Sequence, residues 1–207
     1  MKKLILLLVS GVLMLQAWTI QDDPYYKHKK SQFEMLQNND KYETMMLGDS
    51  ITDEGRWDEL LNNDKVQNRG ISGDTTNGVL ERLDSINKNI KQVFIMIGVN
   101  DIMRGKEVDE VYNNYLKIIK TFKDKNIKVY IQSTLFIGEK RMENFNFKVE
   151  ELNKRLEKYA KENHITFINL NPIFAPKKVL EKKFTFDDLH LNGSAYELWA
   201  KEIKKYF

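Results

Sequence analysis

"YETMMLGDSIT", residues 42–52, passes from an apolar run into Gly, Asp and Ser where a helix is expected to begin. Short apolar runs bounded by turn residues predict buried strands. Asp and Ser cap helices and Gly permits turns, so one interpretation of Gly48, Asp49 and Ser50 is purely structural. The other is that Ser50 is a nucleophile at a helix N-terminus, where backbone N–H groups stabilise negative charge.

Further apolar runs follow this one along the chain, separated by stretches whose apolar residues recur at helical spacing. The predicted strands are residues 42–47, 65–68, 92–98, 128–134 and 165–170. Predicted helices include residues 108–123, 145–163 and 194–206, the last capped by Ser194. This alternation predicts an α/β protein whose parallel sheet is covered on both faces by helices. In such sheets ligands bind beyond the carboxyl ends of the strands.

Length and composition limit the functional classes. A chain of 207 residues fits one domain, and 33 basic against 30 acidic residues give a formal net charge of +3. Basic and acidic residues are mixed along the helices instead of forming a basic stripe, so no nucleic-acid partner is expected. Because cysteine is absent, disulfides, thiol nucleophiles and thiolate metal sites are excluded.

The N-terminus has the layout of a secretory signal. Lys2 and Lys3 precede an apolar run over residues 4–15, and a polar segment follows. We therefore interpret residues 1–20 as a signal peptide or an N-terminal membrane anchor, and expect an exported protein with its domain at residues 25–207. Cleavage after Ala17 and retention as an anchor are both open, because Leu15 occupies a position that favours small residues and the run is short for a span.

Polar residues and glycines follow the predicted strands. They lie in "NRGISGDTT" (68–76), "GVND" (98–101) and "FDDLHLNGSAY" (186–196), in addition to the first segment. Each segment alone is explained by turns and caps. Together they bring a hydroxyl, an imidazole, a carboxylate and several polar donors to one edge of the predicted sheet, which favours a site.

These groups fit acyl transfer. Ser50 would be the nucleophile, His190 the base that takes its proton, and Asp187 the carboxylate that orients the imidazole. The N–H groups of Ser50 and Gly73 and the side-chain amide of Asn100 are the available donors for an oxyanion.

The other two histidines are poorly placed for this role. His28 lies in a basic stretch before the first strand, and His164 lies where a helix gives way to the fifth strand, at the other end of the sheet from Ser50. A further candidate is Phe136, which follows the fourth strand and could line an acyl or sugar pocket. Phe145 and Phe147 are nearby, although packing of the following helix explains them equally well.

The four segments resemble the blocks of the SGNH or GDSL hydrolase family, in the family's order. Ser50 matches the first block, Gly73 the second, Asn100 the third, and Asp187 with His190 the last. The resemblance extends to a branch containing platelet-activating-factor acetylhydrolase-like, lysophospholipase-like and acetylesterase-like proteins. Two departures, Val before Asn100 and Leu after His190 where Thr and Pro are common, remove no candidate catalytic group.

The resemblance implies a flavodoxin-like three-layer α/β/α sandwich with a five-stranded parallel sheet. It also implies a Ser-His-Asp esterase that needs neither a metal nor an organic cofactor, with Ser50, Gly73 and Asn100 forming the oxyanion hole. The expected substrate is a small-molecule, glycan or lipid ester. A short-chain acyl group, acetyl in particular, is expected because the short links between elements leave little chain for a deep acyl tunnel.

Three alternatives stay open at this point. The protein could be a lysophospholipase- or thioesterase-type acyl hydrolase, or a glycan- or lipid-binding module that kept the fold without catalysis. A metal-dependent phosphoesterase would use the carboxylates of Asp49, Asp53, Asp101 and Asp187, although caps and supporting hydrogen bonds account for the first three more simply. The sequence does not determine the oligomeric state.

Overall fold

A sheet of five parallel strands forms the centre of the protein, in the order β2-β1-β3-β4-β5. The computed structural model describes residues 19–141 and 145–207. The strands are β1 (Thr44–Gly48), β2 (Val66–Gly70), β3 (Gln92–Met96), β4 (Lys128–Gln132) and β5 (Thr166–Ile168). The predicted five-stranded parallel sheet is therefore confirmed.

Helices follow the strands in alternation. They are α1 (Pro24–Met35), α2 (Ser50–Asp53), α3 (Trp57–Leu61), α4 (Thr76–Leu80), α5 (Val99–Met103), α6 (Val108–Asp124), α7 (Phe145–Glu162), α8 (Asn171–Phe174) and α9 (Gly193–Ile203). Short 3₁₀ turns complete the links, among them Leu83–Ser85 after α4.

Successive strand side chains point to opposite faces of the sheet, and each face carries its own apolar core. Met45 and Leu47 of β1 pack in the core that α6 and α7 cover. Met46, between them, packs in the core that α3 and α9 cover. Helices therefore bury both faces, as an all-parallel sheet requires, and the predicted three-layer α/β/α sandwich is confirmed.

The strand order brings three strand ends together. Gly48, the last residue of β1, is in register with Gly70 of β2 on one side and with Met96 of β3 on the other. The chain leaves β1 for β2 in one direction and continues to β3 in the other, so the order reverses at this point. A crevice at the carboxyl ends of such strands is where open α/β sheets bind ligands.

The N-terminal region differs from the prediction in one respect. Helix α1 was not predicted, and the buried residue Ile20 already packs with Tyr26, Phe33 and Ile71. Packing thus begins before residue 25. Residues 1–18 of the predicted leader lie outside the described residues. In the described part of the chain, no helix has both the length and the apolarity needed to cross a membrane.

The last helix begins one residue earlier than predicted, and a different residue caps it. The side chain of Asn192 accepts a hydrogen bond from the N–H of Ala195 at 3.1 Å, whereas Ser194 lies inside the first turn. Helices α6 and α7 begin where the spacing of apolar residues predicts.

Trp199 of α9 is the residue on which packing of this helix depends most. It is fully buried, its ring lies 4.6 Å from that of Trp57, and its Nε1 donates to Oε1 of Gln132 at 2.6 Å. We expect Trp199→Ala to lower the free energy of unfolding by about 3–5 kcal/mol, because it leaves a cavity and an unpaired buried amide oxygen. Urea unfolding measures this loss.

Leu198→Ala is the matched control for this prediction. Leu198 lies on the same helix with 37% of its surface exposed. Its truncation should change stability by no more than about 0.5 kcal/mol. Equal losses for the two variants would contradict the assigned packing role of Trp199.

Candidate active site

Ser50 is the first residue of α2 and lies directly after the end of β1. Asp49 alone separates strand from helix, and its Oδ1 accepts from the N–H of Ile51 at 3.1 Å, which caps the helix. Gly48 is required at the strand end, because a Cβ there would lie 2.3 Å from the carbonyl oxygen of Met96. The strand and the helix are therefore joined by a turn too tight for a larger residue, and this turn fixes the direction of the Ser50 side chain.

Side chains from distant elements hold the carbonyls at the far end of α2. The side-chain amide of Asn68 donates from Nδ2 to three carbonyls, those of Thr52, Asp53 and Gly55, at 2.9, 2.9 and 3.0 Å respectively. The hydroxyl of Tyr196, from α9, donates to the Ile51 carbonyl at 2.8 Å. These bonds satisfy carbonyls that a short helix leaves unpaired and keep Ser50 in place.

Ser50, His190 and Asp187 form one hydrogen-bonded chain. Ser50 Oγ lies 3.0 Å from Nε2 of His190, and Nδ1 of the same ring lies 2.8 Å from Oδ2 of Asp187. With a proton on Nδ1, the imidazole donates to the carboxylate and its Nε2 is an acceptor for the Ser50 hydroxyl. The structure therefore brings these three side chains together.

The local backbone orients Asp187 as strongly as the imidazole does. Its Oδ1 accepts from the N–H of His190 at 2.8 Å and from the N–H of Leu189 at 3.1 Å. Burial acts to raise the pKa of Asp187, but the hydrogen bonds from the backbone and ring of His190 outweigh it and lower the pKa to about 2. The carboxyl therefore stays ionised throughout the neutral range.

Glu54 is a second carboxylate close to the imidazole. Its Oε1 lies 3.9 Å from Nε2 of His190, the ring atom that also faces Ser50. The Glu54 carboxylate and the Ser50 hydroxyl therefore lie near the same ring nitrogen. Sequence reasoning did not single out Glu54, since an acidic residue after a short helix is usually solvated.

The loop after β2 brings backbone donors to the same edge. Gly73 has a φ of +76°, in the left-handed region that favours glycine. Arg104 holds the loop by donating from Nη1 to the Gly73 carbonyl at 2.7 Å. Among the described residues, the N–H groups of Ser50 and Gly73 have no hydrogen-bond acceptor.

Asn100, in α5, lies beside this loop. Its Nδ2 donates to the carbonyl of Asp74 at 3.0 Å. A primary amide carries two N–H groups, so one remains for a ligand. The structure thus brings the Asn100 side chain to the segment that contains Gly73, as the sequence predicts.

A buried ion pair holds the loop from below. Asp74 and Arg82 are both almost fully buried; their Oδ2 and Nη2 atoms lie 2.8 Å apart, and Arg82 Nε donates to the same oxygen at 2.9 Å. Arg82 Nη2 also donates to the carbonyl of Gly48 at 3.3 Å. One guanidinium therefore connects the end of β1 with the loop after β2.

Asp101 connects the loop to α5. Its carboxylate accepts from the N–H of Thr76 at 2.9 Å and from the Thr76 hydroxyl at 2.6 Å, and Asn114 of α6 donates to that hydroxyl. The start of α4 is thereby fixed to the residue that follows Asn100. Asp101 thus supports the site through Thr76.

Three carboxyls are buried beneath the site, and burial raises the pKa of each. Burial raises the pKa of Asp49 to about 8, with contributions from the charges of Asp74 and Asp101. Burial also raises the pKa of Asp74 and of Asp101 to about 6, against the opposing effects of Arg82 and Thr76 respectively. At neutral pH most of the Asp49 carboxyl is protonated.

The four carboxylates proposed for a metal site have separate partners. Asp49, Asp101 and Asp187 bind the groups described above, and Asp53 accepts from Tyr25 and pairs with Lys29 at 2.8 Å. In residues 19–141 and 145–207 no group of three or more His, Cys, Asp or Glu side chains is arranged to hold a metal ion.

Phe136, the predicted pocket residue, lies in the core beside α6 and α7 and is 7% exposed. It lines a surface depression with Asn169, Asn171 and Pro172, and Ser50 and His190 are not part of that lining. Phe186 is 92% exposed and directly precedes Asp187 in the chain. The exposed aromatic ring nearest in sequence to the hydrogen-bonded chain is therefore one that sequence reasoning missed.

The parallel sheet and the polar groups at its carboxyl edge define an α/β/α hydrolase. The chain belongs to the GDSL-like Lipase/Acylhydrolase family, whose sequence model matches residues 46–198. The predicted family resemblance is thereby confirmed, and residues 46–198 form a carboxylic ester hydrolase domain.

Two solved structures illustrate the relationship. A protein from Streptococcus pneumonia described as a platelet activating factor superposes with a TM-score of 0.81 at 25% identity, covering 88% of this chain and 92% of that one. A GDSL-like lipase from Bacteroides thetaiotaomicron superposes with a TM-score of 0.76 at 27% identity, covering 87% and 96%.

A curated relative is much longer than the matching region. The N-acylneuraminate cytidylyltransferase of Streptococcus agalactiae serotype III is 26% identical over 168 residues, which cover 77% of this chain. The match spans only 39% of that protein.

Several supporting residues escaped the sequence analysis. Asn68 and Arg82 have buried roles that only the three-dimensional structure reveals. Asn68 lies in the middle of β2, whose sequence VQNRG places three polar residues in succession in a sheet strand, and this is the one signal that could have drawn attention to it.

The raised pKa of Asp49 makes stability depend on pH. An unfolded carboxyl loses its proton near pH 4, about four units below the folded value of about 8. The folded state therefore binds the extra proton between these values, and stability falls as the pH rises through that window. We expect Asp49→Asn to lose less stability than the wild type between pH 5 and pH 8.5, measured by urea unfolding.

Asp58→Asn is the control, because Asp58 is exposed on α3. It should lose as much stability over this interval as the wild type does. If Asp49→Asn and the wild type lost equal stability, Asp49 would be ionised in the folded protein.

Proposed function

We propose that the protein is a serine esterase that hydrolyses short-chain esters, chiefly acetyl esters, on exposed alcohols such as those of glycans. The observation that carries this proposal is the hydrogen-bonded chain from Ser50 Oγ through His190 to Asp187, at 3.0 and 2.8 Å. It supplies a nucleophile, a base and a group that orients the base, in the order that acyl transfer requires.

In the proposed first step, His190 Nε2 takes the proton of Ser50 as Oγ attacks the ester carbonyl carbon. The oxyanion that forms accepts hydrogen bonds from the N–H groups of Ser50 and Gly73 and from the second N–H of Asn100 Nδ2. Protonated His190 then gives its proton to the leaving alcohol oxygen, and an acyl-Ser50 ester remains.

In the second step, water attacks the acyl-enzyme while His190 takes one of its protons. The same donors bind the second oxyanion, and the imidazolium returns the proton to Ser50 Oγ as the carboxylic acid leaves. Asp187 stabilises the imidazolium in both steps without taking up the proton, which accords with its low pKa of about 2.

Several features favour a small acyl group and an exposed alcohol. The side chains of His190 and Asp187 are 33% and 37% exposed, so the base opens towards solvent. Asp49 alone links β1 to α2, and only Ile97 and Gly98 separate β3 from α5. Such short links leave little chain to enclose a long acyl group, whereas the exposed ring of Phe186 offers an apolar surface beside the site.

The proposed location is outside the cytoplasm. Lys2, Lys3 and the apolar residues 4–15 support export, with the N-terminal segment acting as a cleaved signal or as a membrane anchor. An exported esterase with an open site would act on extracellular or envelope esters. A location outside the cytoplasm is therefore compatible with an acetylated glycan as substrate.

Mutations separate the proposed catalytic roles. Ser50→Ala and His190→Ala should each lower kcat by about 10⁴-fold or more, since nucleophile and base act as one unit. Asn100→Ala should lower kcat by about 10²- to 10³-fold with little change in KM, because its contact strengthens only in the transition state. Steady-state hydrolysis of p-nitrophenyl acetate measures these effects.

Ser194→Ala and His28→Ala are the matched controls, since both residues are exposed and neither belongs to the hydrogen-bonded chain or to the oxyanion donors. Both should keep wild-type kcat and KM. Folded Ser50→Ala with wild-type activity would refute the proposed mechanism and leave Ser50 as a structural residue of the turn. Binding of a glycan or lipid by the wild type without any hydrolysis would indicate a binding module.

A substrate panel tests the acyl preference. We expect acetyl esters to be hydrolysed with a higher kcat/KM than octanoyl or longer esters of the same alcohol, because an open site cannot bury a long chain. The panel should include O-acetylated xylan oligosaccharides, lysophospholipids and acyl thioesters. It should also include O-acetylated N-acylneuraminate, since the streptococcal relatives that match this chain are named for that sugar.

A faster reaction with long-chain esters, lysophospholipids or thioesters would replace this substrate proposal with an acyl hydrolase of the lysophospholipase or thioesterase type. The Ser50, His190 and Asp187 roles would stand in that case. The acyl panel and the mutants therefore test separate parts of the proposal.

A further inference from the structure

Arg69, near the end of β2, is buried with more than half of its hydrogen-bonding capacity unused. The residue is 6% exposed, and its Nε and Nη2 atoms have no acceptor. Its Nη1 donates to the carbonyl of Asn68 at 3.2 Å. Unpaired buried N–H groups on a charged side chain are costly, so a partner for them is expected.

The side chain lines a small cavity together with Arg82. The other lining residues are Met45, Leu47, Leu83, Ser85 and Ile86. The cavity is small: the volume in which the centre of a water molecule can move is about 10 Å³. This is room for a single water molecule or a single monatomic ion.

The charge of the cavity wall is not balanced. Arg82 is neutralised by Asp74 at 2.8 Å, whereas no carboxylate among the described residues pairs with Arg69. Burial and the neighbouring charge of Arg82 lower the pKa of Arg69 to about 10, which still leaves it protonated at neutral pH. One positive charge therefore remains uncompensated in this part of the interior.

Helix α1 closes this region from outside. The ring of Phe33 lies 4.5 Å from the guanidinium of Arg69 and 5.7 Å from that of Arg82. The ring face attracts both cations and keeps bulk water away from them, but it carries no net charge. The aromatic contact thus leaves both the unused N–H groups and the excess charge in place.

We propose that this cavity binds one monatomic anion, chloride under ordinary conditions, on Nε and Nη2 of Arg69. A water molecule would accept the hydrogen bonds without compensating the charge, and phosphate, sulfate or a carboxylate would exceed the available volume. A halide meets both requirements. Arg82 lines the same cavity and binds Asp74 and the Gly48 carbonyl. The anion therefore stabilises the two arginines whose contacts hold the loop that contains Gly73.

Thermal unfolding tests the proposal directly. The wild type is heated in sodium chloride and in sodium gluconate at the same ionic strength, over a chloride series up to 1 M. We expect the Tm in chloride to exceed that in gluconate, by about 3–6 °C for each tenfold rise in chloride above the Kd. Arg69→Met should lose this chloride-specific difference, whereas Arg155→Met, on the surface of α7, should retain it.

Crystals grown in sodium bromide locate the ion independently of any variant. An anomalous difference peak within about 3.5 Å of Arg69 Nε or Nη2 supports the site, even if Arg69→Met fails to fold. The proposal is overturned if the wild type shows no chloride-specific rise and bromide gives no peak, since the cavity then holds only water. It is equally overturned if folded Arg69→Met keeps the full chloride effect.

Discussion

The ion pair between Asp74 and Arg82 is the contact on which the arrangement of the site depends. Its atoms lie 2.8 Å apart in a part of the interior that water does not reach. Burying two charges is costly, and close geometry with additional hydrogen bonds offsets that cost. Here the N–H of Thr75 binds the carboxylate, and the Gly48 carbonyl binds the guanidinium. Strand β1 and the loop after β2 are therefore joined by charge as well as by the sheet.

Asn100 extends this connection to the end of β3 through the Asp74 carbonyl. On the other side, Asp53 accepts from the N–H of Ser72 at 3.1 Å and from the hydroxyl of Tyr25 at 2.8 Å. Helix α1 is thus fastened to the end of α2 and to the loop before Gly73. The first helix of the domain forms part of the scaffold behind the proposed nucleophile.

The strands and the polar residues at their ends could be predicted from the sequence, because period, length and turn residues all agree there. His190 was identifiable since the chain has only three histidines. Helix α1 was missed because only Tyr26 and Phe33 are buried on it, which is too few to give a helical stripe. Arg69 and Arg82 gave no signal, since charged residues are normally exposed and their burial depends on contacts far along the chain.

The sequence separation of Ser50 and His190, 140 residues, links the proposed chemistry to the order of synthesis. Ser50 is made before Asp187 and His190, which lie just before α9. An incomplete nascent chain therefore has a hydroxyl without a base, whatever part of its sheet has formed. Tyr196, whose hydroxyl binds the Ile51 carbonyl, arrives later still. Under the proposed mechanism, ester hydrolysis therefore requires the chain to be made and folded from β1 through to the segment that carries His190.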